Sequence, residues 1–183
     1  MIIGITGSDG GGKGTVVDYL VTKGFTHYSS REFIVAEIER QGLPVDRNQM
    51  RLTANELRAE HGNEFVVKQA YEKAQREGKD MVVIESIRAL AEAKYLKDQG
   101  GILLSIDADP VVRYERVQAR RSDTDKVTYE EFLAHEELEK NDPDPNGMQK
   151  TKVMVLADYT ITNDGSLEEL QAKVDEFLEQ IVK

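Results

Sequence analysis

Five short apolar runs alternate along this chain with longer stretches in which apolar residues recur at helical spacing. The runs are Ile2–Thr6, Thr26–Ser29, Met81–Glu85, Ile102–Asp107 and Tyr159–Thr162. Strands that alternate with helices predict βαβ units and a parallel sheet, an α/β fold. Several helix starts are marked by capping residues. Ser166 with Glu169 forms a capping box ahead of Leu167, Leu170, Val174, Phe177 and Ile181, an amphipathic C-terminal helix. Thr128 with Glu131 does the same ahead of Phe132 and Leu138, and Asp109 is a cap followed by Pro110 at the first helical position. The stretch Arg31–Gly78 holds about three helical patterns and no strand, which is too long for a plain crossover and predicts a helical insertion. Asn141–Gly147, with two prolines and a glycine, is predicted as a mobile loop.

The 183 residues amount to one domain with room for a substantial core. Cysteine is absent, which excludes disulfides and thiolate metal sites. The three histidines, His27, His61 and His135, have no metal-ligand spacing and are assigned no role. The N-terminus lacks a charged-then-apolar leader, and no apolar run approaches the ~20 residues needed to span a bilayer. A soluble, cytoplasmic protein with no membrane partner is expected. The net charge of −10 argues against a nucleic-acid partner, which would call for a basic face; the oligomeric state is left open. Every arginine lies between Arg31 and Arg121. Arg40, Arg47 and Arg76 sit in polar helical stretches and read as solvated. The others point to a phosphorylated ligand, because a guanidinium matches phosphate with a planar fork. The acidic run Glu130–Glu139 reads as a solvated helix face.

The chemistry concentrates after the first strand, where residues 7–15 read Gly-Ser-Asp-Gly-Gly-Gly-Lys-Gly-Thr. A strand, a glycine-rich turn, a lysine and a helix make a P-loop. Glycines let consecutive N–H groups converge on one concavity, and the helix adds its positive end. Gly10, Gly11, Gly12, Lys13, Gly14 and Thr15 are therefore the candidates for holding a nucleotide's phosphates. Parallel sheets bind ligands at the carboxyl ends of their strands. Ser29-Ser30-Arg31, Glu85–Arg88, Asp107–Asp109 and Asn163–Gly165 all fall there.

Lys-Gly-Thr at positions 13–15 resembles the nucleoside monophosphate kinases, adenylate kinase above all. The order of parts agrees: P-loop, helical insertion, an arginine after the third strand, and an arginine-rich helix leading to a flexible lid. The run Ile161–Leu170 is similar to the ends of dephospho-coenzyme A kinases and phage deoxynucleoside monophosphate kinases. The resemblance implies a three-layer P-loop NTPase fold with a five-stranded parallel sheet in the order 2-3-1-4-5, an acceptor-binding insertion at 31–79 and a lid at 121–150. It implies ATP and magnesium, with a nucleotide as the small-molecule acceptor. Lys13, Arg88, Arg116 and Arg120 become the catalytic candidates. Arg31, Arg58, Glu85 and Arg88 become the acceptor contacts, with Arg51 a further candidate in the insertion. Thr15 and Glu85 are placed near magnesium, and Asn163 and Gly165 over the donor base. Arg113 and Arg121 are weaker candidates on the same helix.

The sequence also departs from these families. Dephospho-coenzyme A kinases carry an aspartate pair after the second strand, where this chain has Ser29-Ser30-Arg31, so a phosphate acceptor is favoured over a hydroxyl. The Asp-Gly-Phe-Pro-Arg motif of adenylate kinases is absent. No arginine follows Arg121 to supply a second lid pair, a place that Lys150 and Lys152 could take. Two other readings stay open: a dephospho-coenzyme A or other small-molecule kinase, and a nucleotide-binding switch or assembly factor with slow ATPase.

Overall fold

A computed structural model describes residues 1–119, 127–140 and 142–182. Five parallel strands form one sheet: β1 (Ile2–Gly7), β2 (Thr26–Ser29), β3 (Val82–Glu85), β4 (Ile102–Asp107) and β5 (Tyr159–Thr162). Their spatial order is β2-β3-β1-β4-β5, as expected. The registers Gly4↔Ile84 and Gly4↔Leu103 put β1 at the centre, so its carboxyl end opens onto the middle of the sheet edge.

The sheet is covered on both faces. Side chains alternate across a strand, so Val83 and Leu104 join one core while Val82, Ile84 and Leu103 join the other. The first core packs Val16 and Leu20 of α1 (Lys13–Thr22) and Leu170, Val174 and Phe177 of α9 (Leu167–Ile181) against Ile3, Ile5 and Ile106. The second packs Val67 and Ala70 of α4 (Phe65–Arg76), Ala93 and Leu96 of α5 (Leu90–Asp98) and Val153 of α8 (Lys150–Val155). Burial on both faces explains why the strands read as continuous apolar runs.

The insertion holds α2 (Ser30–Arg40), α3 (Arg47–His61) and α4, three helices as the pattern predicts. After β4 come α6 (Pro110–Ala119) and α7 (Tyr129–Lys140). The capping boxes form as read. Ser166 accepts from the Glu169 amide, and Glu131 and Thr128 cap each other's backbone N–H at 2.7 and 3.2 Å; such caps are worth about 1 kcal/mol each. The expected loop after α7 is present over 142–149, but it is fastened rather than loose. Asp142 and Asp144 accept from backbone amides two residues on, the Asn55 amide donates to Asp144 at 3.0 Å, and Arg51 pairs with Asp142 at 3.1 Å.

Candidate active site

β1 runs into the P-loop at Gly7, and two glycines make the turn possible. Gly10 has φ 78° and Gly12 φ 103°, in the left-handed region that favours glycine. A Cβ on Gly10 would run into the Arg113 carbonyl, and one on Gly12 into the Asn163 amide. The loop is held from outside. Asn163 donates its side-chain amide to the Gly11 carbonyl at 2.9 Å, and its backbone N–H donates to Asp107 at 2.7 Å. Its own carbonyl accepts from Arg116 at 2.8 Å. Asn163 is thus a buried clamp on the P-loop. Arg116 reaches this clamp, beside the cradle. Gly165 belongs to the turn before α9, where a Cβ would meet Glu169 of the capping box.

Lys13 folds back over the loop, donating to the carbonyls of Gly7 at 3.0 Å and Ser8 at 2.8 Å. Burial pulls its ammonium down to about 8, against partial support from Asp9 3.6 Å away. Gly14 and Thr15 lie exposed in the first turn of α1, with open space above Gly14. The loop therefore combines the glycine turn, the start of α1 and a lysine, the parts of a phosphate cradle.

Beside the cradle lies a cavity of about 340 Å³ between the P-loop, α2, α3 and the 142–149 loop. Asp9 of the P-loop stands at its boundary. Its carboxylate lies 3.3 Å from Arg47, 3.4 Å from Lys150, 3.6 Å from Lys13 and 3.8 Å from Arg88. Burial alone would push this carboxyl up; the cations, led by Lys150 and Arg88, hold it well below the usual carboxylate range. Glu139 of α7 completes the cluster, accepting from Lys150 at 2.7 Å and lying 3.4 Å from Arg47 and 3.5 Å from Arg88. Four cations from four separate elements thus converge between the cradle and the cavity.

The other candidates separate. Arg88 lines the cavity and faces the cradle, as expected. Arg31 and Arg51 also line it. Arg58 lines it but is 3% exposed and bound to Glu92 at 2.8–2.9 Å. Glu92 in turn accepts from the Arg88 and Ala89 amides at 2.9 Å, so Arg58 anchors the start of α5 from within the cavity wall. Glu85 accepts from Ser29 at 3.0 Å with the His27 ring 3.6 Å away, and this ring keeps the carboxyl below its usual range. Arg113 is buried, bonding the Ala108 carbonyl at 2.8 Å and Glu136, which makes it structural. Arg120 and Arg121 lie outside the described residues.

The AAA domain family model AAA_18 matches residues 3–144. A UPF0200 protein of Pyrococcus horikoshii is 31% identical over 100% of this chain and 98% of its own length. The chain belongs to the AAA domain family and to the UPF0200 proteins. Solved structures that share the fold of this AAA domain include a shikimate kinase from Bacteroides thetaiotaomicron, with TM-score 0.62 and 15% identity over 98% of each chain. A dephospho-CoA kinase from Campylobacter jejuni has TM-score 0.57 and 16% identity over 98% of this chain and 96% of that one. At such identities the likeness shows the fold, that of a P-loop kinase.

Three acidic residues of this AAA domain and one arginine escape a reading of the sequence. Asp9 sits inside the recognised motif, yet its direction depends on the turn that Gly10 and Gly12 impose. Arg47 reads as a solvated helix residue, and the structure corrects this: at the start of α3 it reaches Asp9 and Glu139. Glu136 and Glu139, 8% exposed, overturn the reading of 130–139 as a wholly solvated face. Their partners are distant in sequence, so no local signal marks them. Among the described residues no helix is long and apolar enough to cross a membrane.

Proposed function

We propose that this protein transfers the γ-phosphoryl group of ATP to a nucleoside or deoxynucleoside monophosphate. One observation carries the reading. Lys13, Arg47, Arg88 and Lys150 meet at the boundary between a phosphate cradle and a closed-in cavity, the place where two polyanions have to be brought end to end. The cradle of residues 10–15 fits the donor's phosphates, with Lys13 released from its carbonyls onto them. Arg88 and Arg47 fit the acceptor's phosphate. Arg116, next to the cradle, and Arg120 serve the transferred group.

The acceptor phosphate is already ionised, so no base is needed. An acceptor oxygen forms the new bond to phosphorus, the bond to the β–γ bridging oxygen breaks, and ADP leaves. Thr15, with its exposed hydroxyl, and Glu85, kept ionised by His27, fit a hydrated magnesium ion, which supplies neutralisation of phosphate charge. Residues 31–79 form the acceptor-binding part. The region 121–150, of which α7 and the 142–149 loop are described, forms the lid that excludes water. Lys150 takes the place of a missing lid arginine.

The test is an ADP-release assay over the common ribo- and deoxyribonucleoside monophosphates. Turnover that depends on the acceptor is expected; ADP release that ignores every acceptor overturns the reading. A second reading, transfer to a hydroxyl as in a dephospho-coenzyme A kinase, draws support from the ionised Asp9 carboxylate at the same boundary. Dephospho-coenzyme A in the same assay separates the two.

A further inference from the structure

α7 presents two buried carboxylates to the core. Glu136 and Glu139 are three residues apart and share one helix face. Their surroundings differ. Among the described residues Glu136 meets one cation, the buried Arg113 of α6. Glu139 meets three, each from a different part of the chain: Lys150 of α8, Arg47 of α3 and Arg88 after β3. Glu139 also stands in the last turn of its helix, where the dipole disfavours a carboxylate. The three cations hold it there against that field.

The fit is loose. Lys150 donates to Oε2 at 2.7 Å, but Arg47 lies 3.4 Å from Oε1 and Arg88 3.5 Å from Oε2. For Arg88 the other carboxylate of the cluster, Asp9, is farther still at 3.8 Å. A guanidinium seated on its anion makes contacts of about 2.7–2.9 Å, often two in parallel. A carboxylate offers two oxygens and a single charge. A phosphate monoester offers three oxygens and a charge of about −1.5 to −2. Glu139, Arg47 and Arg88 line the same cavity, so the carboxylate stands where the kinase reading puts the acceptor's phosphate.

Resting on that reading, we infer that Glu139 is a built-in competitor: in the free protein its carboxylate holds the acceptor-phosphate position, and the acceptor's phosphate displaces it. Cations gathered away from water repel one another unless an anion lies among them. Glu139 lets the cluster stand assembled before a ligand arrives. Displacement asks only that one side chain near the end of α7 swing out, while buried Phe132 and the Glu136–Arg113 pair keep the helix in place. The cost falls on any ligand that brings an anion to this position and on no ligand that lacks one. Asp9 differs, because it belongs to the P-loop itself and lies beside Lys13.

The experiment is calorimetry on wild type, Glu139→Gln and Glu136→Gln, each with ADP and magnesium filling the cradle. It measures binding of the preferred monophosphate among AMP, GMP, CMP, UMP and dTMP, and of the same nucleoside without its phosphate. Steady-state kinetics add the KM for ATP. In Glu139→Gln the monophosphate is expected to bind about fivefold tighter, with nucleoside binding and the KM for ATP unchanged. Glu136→Gln should tighten neither ligand. Monophosphate affinity that is equal in wild type and Glu139→Gln, or weaker in the variant, overturns the inference and leaves the kinase reading standing. Equal tightening in Glu136→Gln, or tightening of the bare nucleoside, also overturns it, because a loosened α7 would then be the cause. A wild type that turns over no monophosphate overturns the kinase reading itself.

Discussion

The two sides of the cleft, proposed here as its donor and acceptor sides, are built from different materials. The cradle is main chain: glycine-permitted turns, converging amides and the end of α1, trimmed by Asn163. The acceptor side is side chain: Arg47, Arg88 and Lys150 held apart by Asp9 and Glu139, with the wall shored up by Arg58 and Glu92. A backbone site is rigid and indifferent to everything but phosphate. A side-chain site with internal counter-ions can be re-paired, which suits it to select the proposed acceptor.

Five tests bear on that contrast. The largest effect is expected from Arg58→Ala, which leaves the Glu92 carboxylate buried without its partner. Urea denaturation should show a loss of about 3–5 kcal/mol. A mild loss would mean that the acceptor wall does not depend on this pair. Lys13→Gln should cut turnover by about 10²–10³-fold with stability nearly intact, because the lysine acts on phosphate charge; the ADP-release assay and a melting curve read both. Gly10→Ala tests the main-chain side. Forcing a side chain to φ 78° against the Arg113 carbonyl should cost about 1–3 kcal/mol and weaken nucleotide binding more than acceptor binding, by calorimetry.

The fourth test uses pH. Burial pulls Lys13 down to about 8, and a bound phosphate favours its protonated form. Nucleotide binding should therefore take up a proton above pH 8, and affinity should fall by up to about tenfold per pH unit as the free lysine loses its charge. Calorimetry in two buffers of different ionisation heat measures this. A binding heat independent of buffer at pH 9 would show that Lys13 keeps its proton. The smallest effect is expected from Glu139→Gln, which removes one of the two carboxylates beside Lys150 and leaves Asp9 as the other. The acceptor KM should fall a few-fold while the KM for ATP holds.

Most of the fold was legible because its signals are local. The five runs, the caps at Thr128 and Ser166, and the Gly-x4-Gly-Lys turn each lie within a few residues, and a right-handed parallel sheet follows from their alternation. The P-loop turn was legible for the same reason. The acceptor side was legible only in part, through Arg88 at a strand end. Arg47 and Glu139 are 92 residues apart, and Asn163 reaches a loop 152 residues away. No periodicity encodes such pairings.

On the proposed reading, donor and acceptor phosphates meet between Lys13 and Arg88. The most direct measurement is calorimetric binding of a dinucleoside pentaphosphate, which joins both nucleotides in one molecule, to wild type, Lys13→Gln and Arg88→Ala. Tight binding that drops by a hundredfold or so in each variant is the predicted result. Binding that survives Arg88→Ala unchanged would contradict it, because the second nucleotide would then lie elsewhere.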